Sequence, residues 1–157
     1  MSRTTPATLT LDRAGVAHTL ATYAYDPAAD RIGLAAAEAL GAPASEVLKT
    51  LIVKADGRFA CVVLASDREV SMKKLAAALG AKACEMAPVA EAERTTGYRV
   101  GGVSPFGQKK RLPTVIDAAA AALPQAYVNG GQRGLQARLA PADLVRVLEA
   151  AVAEIAA

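Results

Sequence analysis

A chain of 157 residues that is 53% hydrophobic and 21% charged can bury a substantial core and lacks the signature of disorder, so one compact domain over residues 1–157 is expected. No run approaches the roughly 18 consecutive apolar residues that cross a bilayer, and Met1-Ser2-Arg3-Thr4-Thr5-Pro6 lacks the apolar stretch of a signal peptide; the expectation is a cytoplasmic protein with no membrane partner. The net charge of +3 is modest, but Arg94 through Ala142 holds seven basic residues against the single acid Asp117, as a face approaching a polyanion or an ordinary solvated surface would.

Thr5-Pro6 fits an N-cap with proline in the first turn and opens a short helix that ends near Gly15. Val16 to Tyr25 is strand-like and stops at Asp26-Pro27. It carries the chain's only histidine, His18, read as a strand-face residue. Ile32 to Leu40 is alanine-rich and helical, with Gly41 and Pro43 ending it. Val47 to Lys54 and Arg58 to Leu64 form a hairpin, because Asp56-Gly57 supplies the positive φ of a tight turn. Lys49 is the one charge in Val47 to Val53. Either it points outward on an alternating strand, or it is buried and needs a negative partner.

Ser71 caps a helix through Lys73, Leu75 and Leu79 that closes at Gly80. A strand around Cys84 to Ala87 and a helix from Pro88 to about Thr95 follow. Thr114 to Asp117, Ala126 to Asn129 and Leu135 to Leu139 read as strands. Pro141 opens a terminal helix whose stripe is Leu144, Val147, Leu148, Ala151, Val152 and Ile155. With strands and helices interspersed and no regular βαβ alternation, the class is mixed α and β on a largely antiparallel or mixed sheet.

Cys61 and Cys84 are too far apart for a C-x-x-C site and have no clustered histidines, so both are read as buried core thiols and no metal is expected. A Cys/His dyad with His18 has nothing to support it. Gly102 and Gly107 have the spacing of a phosphate loop, yet Gln108-Lys109-Lys110 follows where Gly-Lys-Ser/Thr is needed, and Pro105 removes a backbone donor. Gly101-Gly102 remains as a tight turn or as a place where a substrate carbonyl meets backbone amides. A second glycine turn, Gly130-Gly131, carries Arg133 and suggests an anionic ligand held between two loops.

Thr22-Tyr23 with Asp26-Pro27, Leu48-Lys49-Thr50-Leu51, Thr96-Gly97-Tyr98, the run from Val100 through Lys110, Tyr127-Val128, and Gly130-Gly131 with Arg133-Gly134-Leu135 together resemble the YbaK family of aminoacyl-tRNA editing domains, related to an insertion in bacterial prolyl-tRNA synthetases. The resemblance implies an α+β fold, a single compact domain with a curved, barrel-like mixed sheet flanked by helices. It implies a trans-editing deacylase that removes cysteine from Cys-tRNA(Pro), or alanine or another small residue, without a cofactor. The alternatives are a non-catalytic module that binds tRNA or the synthetase, and a small-molecule hydrolase that has reused the scaffold. Mischarged tRNA and prolyl-tRNA synthetase are the implied partners, and no DNA is expected.

By the same resemblance Lys49 and the amides of Gly101 and Gly102 polarise the ester carbonyl, and the substrate's own thiol attacks. Tyr23, Ile32, Thr50, Ser104, Asn129, Gly130 and Gln136 are the expected substrate contacts. Lys109, Lys110, Arg111 and Arg133 are the expected tRNA contacts. Ile32, Asn129 and Gln136 stand where the cysteine-specific pattern has an aromatic, a serine and an aspartate, which bears on the choice of amino acid.

Overall fold

The computed structural model describes residues 3–157; Met1 and Ser2, part of the N-terminal segment read above for a signal, lie outside it. Helix α1 (Pro6–Arg13) begins with a capping box in which Thr5 and Thr8 satisfy each other's free amides. Strand β1 (His18–Thr22) follows, then α2 (Ile32–Leu40), closed by Gly41 in the left-handed region. A 3-10 turn (Ala44–Glu46) leads into β2 (Leu48–Ala55), which turns through Asp56 and Gly57, both at positive φ, into β3 (Arg58–Ala65). The Asp56 carboxylate accepts from the amides of Lys82 and Ala83, so the hairpin turn also fixes the next crossing.

After α3 (Met72–Leu79) come β4 (Cys84–Met86), α4 (Val89–Thr96), β5 (Thr114–Asp117), the single turn α5 (Ala118–Ala121), β6 (Ala126–Asn129), β7 (Leu135–Leu139), α6 (Pro141–Leu148) and β8 (Ala151–Ala153). The strands form two sheets rather than one closed, barrel-like sheet. One is three-stranded and antiparallel, in the order β1-β7-β6, and the other is five-stranded and mixed, in the order β4-β2-β3-β5-β8. They meet through a single parallel bridge between Val47 and Tyr127.

β3 is buried on both faces, which is why its sequence is a continuous apolar run rather than an alternation. Cys61 and Val63 face a core that also takes Phe106, Ile116, Leu139 and Leu144, whereas Val62 and Leu64 face a second core with Leu75, Val115 and Ile155. Each such side chain, fully withdrawn from water, contributes roughly 1.5–3 kcal/mol.

Three further expectations differ from the structure. The terminal helix stops at Leu148, because Glu149 enters the left-handed region and the chain then pairs Ala151 to Ala153, parallel, with Val115 to Asp117. Leu144 faces the first core as expected, but Ile155 belongs to the second, with its N–H donated to the buried Asp117 carboxylate. Second, β1 is shorter than the run Val16 to Tyr25, since its partner β7 begins at Leu135, opposite Thr22. Third, Cys61 is wholly buried but Cys84 only partly so, on the short edge strand β4.

Candidate active site

Val47, just before β2, bridges to Tyr127 of β6, and β2 ends against β4, which pairs only from Val53 onward. Between these contacts its edge is uncovered, and a cavity of about 390 Å³ opens there. All five residues from Leu48 to Ile52 line it. The first turn of α2 closes one side with Ile32 and Gly33, and α4 contributes Val89 and Ala92. Gly33 permits the close approach: a Cβ there would meet the Ser66 hydroxyl at 2.5 Å, and that hydroxyl is itself committed to the Val47 carbonyl.

Seven of the residues singled out in the sequence meet in this cavity: Tyr23, Ile32, Lys49, Thr50, Gly101, Asn129 and Gln136. The Lys49 side chain is only 20% exposed, and its Nζ lies 3.8 Å from Oε1 of Glu69, another lining residue, whose side chain is 77% exposed. The Tyr23 hydroxyl, Thr50 Oγ1 and Gln136 Oε1 are buried without a hydrogen-bond partner, and they are the three such side-chain atoms among the described residues. Buried polar atoms left unpaired cost about 1–3 kcal/mol each. All three belong to residues that line this cavity.

The glycine loop divides its work. Gly102 donates its N–H to the Arg99 carbonyl at 2.7 Å, and a Cβ on it would strike the Arg133 amide; its donor is spent inside the turn, so the expected pair of amides reduces to Gly101. Gly101 sits at φ +93° beneath the Tyr25 ring, and its N–H has no acceptor among the described residues. Asn129 accepts from the amides of Gly131 and Gln132 and donates to the Gly101 carbonyl at 3.1 Å. It lines the cavity while tying the two glycine loops together.

Ser104 and Gly130 lie outside the cavity lining. Ser104 is fully buried and caps the Phe106 amide. Gly130 bonds Leu135 through its N–H and Thr5 through its carbonyl. Arg133 donates to the Val100 carbonyl at 2.9 Å and lies over the Tyr25 ring, which braces the Gly101 loop from behind. Lys109 and Lys110 are exposed and dock through their amides on the last turn of α4, while Arg111 pairs loosely with Glu149 at 3.4 Å.

Neither thiol lines the cavity. Burial pushes the Cys61 thiol up to about 12, outweighing the lowering effect of the bonds from Gln108 and Thr114, so it stays protonated and inert. Desolvation, then the Asp56 charge, raises Cys84 as well. His18 turns Nδ1 to the Val16 carbonyl and Nε2 toward Asp12. No group of three metal-binding side chains occurs among the described residues, and no helix there is long and apolar enough to cross a membrane.

The model of one protein family, the aminoacyl-tRNA editing domain, matches residues 26–147. EbsC of Enterococcus faecalis, provisionally named a Cys-tRNA(Pro)/Cys-tRNA(Cys) deacylase, is 38% identical over 120 residues, which is 76% of this chain and 73% of EbsC. The proline–tRNA ligase of Caldicellulosiruptor bescii is 40% identical over 68 residues, but these are only 12% of that enzyme. Among solved structures, hypothetical protein APE2540 superposes with a TM-score of 0.84 at 26% identity, over 98% of this chain and 100% of the other. A protein provisionally described as a trans-editing enzyme for prolyl tRNA synthetase has the same fold, with a TM-score of 0.81 at 23% identity over 99% of both chains.

Proposed function

The chain belongs to the aminoacyl-tRNA editing domain family, and we propose that it is a trans-acting deacylase that frees a small, wrongly attached amino acid from tRNA(Pro), cysteine first and alanine second. One observation carries this reading: Tyr23, Thr50 and Gln136, each with a buried polar atom that lacks a partner, line the same cavity as Lys49. An aminoacyl ester is small and polar, with a carbonyl that must be activated. The cavity has a cation for that carbonyl and spare polar atoms for the rest.

In the proposed reaction the Lys49 ammonium and the free Gly101 N–H stabilise negative charge growing on the ester oxygen. The cysteinyl sulfur forms a bond to the carbonyl carbon, the carbon–oxygen bond to the ribose breaks, and the thiol proton passes to the departing ribose oxygen. Water then opens the four-membered thioester ring. No nucleophile from the protein is required, which fits a cavity that neither Cys61 nor Cys84 lines. An alanyl ester, lacking a thiol, would need water as nucleophile at the same carbon. Ile32, Asn129 and Gln136 all line the cavity, and the preference between the two esters rests with them.

The exposed Lys109, Lys110 and Arg111, with Arg133 behind the Gly101 loop, would meet tRNA phosphates, and prolyl-tRNA synthetase would supply the mischarged substrate in the cytoplasm. The test is release of amino acid from Cys-tRNA(Pro), Ala-tRNA(Pro) and Pro-tRNA(Pro). Loss of cysteine or alanine that disappears in Lys49→Ala, with folding retained, is expected. Full activity in Lys49→Ala would refute the site, and turnover of none of the three would leave a binding module.

A further inference from the structure

The uncovered edge of β2 has a hydrogen-bonding pattern of its own. Ile52 stands opposite Cys61, and Cys61 donates its N–H away from β2, to the Pro113 carbonyl at 2.8 Å. Val47, by contrast, accepts from the Ser66 amide at 2.9 Å across the β2–β3 ladder. Antiparallel partners alternate between bonded and non-bonded pairs, so Ile52 with Cys61, and Thr50 with Val63 two residues along, are non-bonded. The N–H and C=O of Thr50 therefore both point away from β3. On that side β4 reaches back only to the Ile52 carbonyl, which accepts from Ala87, and the pairing with β6 is confined to the Val47–Tyr127 bridge. Thr50 lies in the gap between them: no strand pairs with it on the cavity side, and its Oγ1 is buried without a partner.

We propose that the α-aminoacyl group of the substrate fills this gap as a single residue of a strand. In an extended residue the N–H and C=O lie on the same side, and an aminoacyl ester has that set: an ammonium donor and a carbonyl acceptor on adjacent carbons. It exchanges two hydrogen bonds with Thr50, the ammonium donating to the Thr50 carbonyl and the Thr50 N–H donating to the ester carbonyl. This is strand addition reduced to one residue, and it recognises the amino acid's common part irrespective of its side chain. The inference rests on the deacylase reading for the identity of the ligand, and on the strand register for the site.

The probes are two non-hydrolysable analogues, 3′-amino-3′-deoxyadenosine acylated either with L-alanine or with propionic acid, which differ only in the α-ammonium. Binding is followed by amide NMR of the full chain. The alanyl compound is expected to bind roughly ten- to hundredfold more tightly, the loss that follows removal of a charged hydrogen-bonding partner, and to shift the Thr50 amide downfield. Thr50→Pro removes that N–H on the side facing the cavity, where proline leaves the ladder to β3 intact, and should lose at least about tenfold in affinity. Thr50→Val keeps the N–H and should retain the preference for the ammonium.

Equal affinity for the two analogues overturns the proposal, as does tight binding without movement of the Thr50 amide. Loss of the preference in Glu69→Gln would also overturn it, by giving the ammonium to a carboxylate instead. If Thr50→Pro does not fold, the comparison of analogues on the wild type still decides. Failure of the deacylase reading would appear elsewhere, as no release from any charged tRNA by a protein that still prefers the alanyl analogue.

Discussion

The Lys49 ammonium is held 3.8 Å from the Glu69 carboxylate at the rim of the cavity, so the cation that would polarise a substrate carbonyl already has a partner in the free protein. The pair is asymmetric, with Lys49 largely buried and Glu69 largely exposed. Solvent screens such a pair to within about 1 kcal/mol. Glu69→Gln should therefore lower KM by no more than about fivefold and leave kcat unchanged, because the ammonium no longer has to be taken from the carboxylate. Raising the ionic strength should bring the wild type toward the variant. A large fall in kcat for Glu69→Gln, measured in a deacylation assay at two salt concentrations, would mean that Glu69 acts on the substrate itself.

Gln136 gives a prediction in which stability and activity separate. Its Oε1 is buried without a partner, which penalises the empty protein by about 1–3 kcal/mol. Gln136→Met removes that penalty at similar volume, so the thermal midpoint should stay level or rise while amino-acid release falls. Gln136→Asp shortens the side chain and adds a charge, and should change the ratio of cysteine to alanine release more than the sum of the two rates. Thermal melts run beside the two-substrate assay check both. A variant that loses stability and activity together would make Gln136 a packing residue.

The sequence made some of this site visible and hid the rest for identifiable reasons. Lys49 stood out because a lone charge in an apolar strand needs an explanation, and the Asp56-Gly57 turn fixed the hairpin that carries it. The cavity itself was not legible, since it depends on how far β4 and β6 extend along β2, a matter of long-range pairing. Glu69 was missed because it lies in an exposed loop with no periodicity. The Gly101-Gly102 pair was visible, but which amide stays free is decided by one turn bond to Arg99. Residues 149–155 misled because Ala151, Val152 and Ile155 suit a helical stripe as well as a strand, and the open edge of β5 chose the strand.

Lys109, Lys110 and Arg111 are exposed, and the Arg111–Glu149 pair is open to solvent on both sides, so none of the three holds the fold together through its charge. If they meet tRNA phosphates, replacing all three by alanine should reduce the slope of log K against log salt by about 2, with little effect on kcat. Arg133→Ala should behave differently, because its guanidinium braces the Val100 carbonyl and the Tyr25 ring. Its loss should lower kcat by loosening the Gly101 loop. Binding isotherms at three salt concentrations, beside single-turnover rates, separate the two effects, and an unchanged salt slope in the triple variant would remove the basic stretch from the RNA interface.

Alkaline pH should unfold this protein through its buried acids. Cys61 has its thiol raised by burial from 9.0 to about 12, and Tyr98, whose hydroxyl is donated to the Phe106 carbonyl, is raised by burial in the same direction. Above pH 9 the unfolded chain releases the thiol proton while the folded chain keeps it, so the unfolded state gains and stability falls as pH rises. The contribution from Cys61 is fully present below pH 9 and is lost progressively up to about 12. Cys61→Ala removes this term at the cost of a small cavity, so its denaturation midpoint should be lower at pH 7 yet decline less steeply between pH 9 and 11. The remaining decline should then track Tyr98 and flatten further in Cys61→Ala with Tyr98→Phe. Urea titrations at pH 7, 9 and 11 give the comparison, and parallel declines for the wild type and Cys61→Ala would show that the thiol exchanges its proton with solvent before the fold opens.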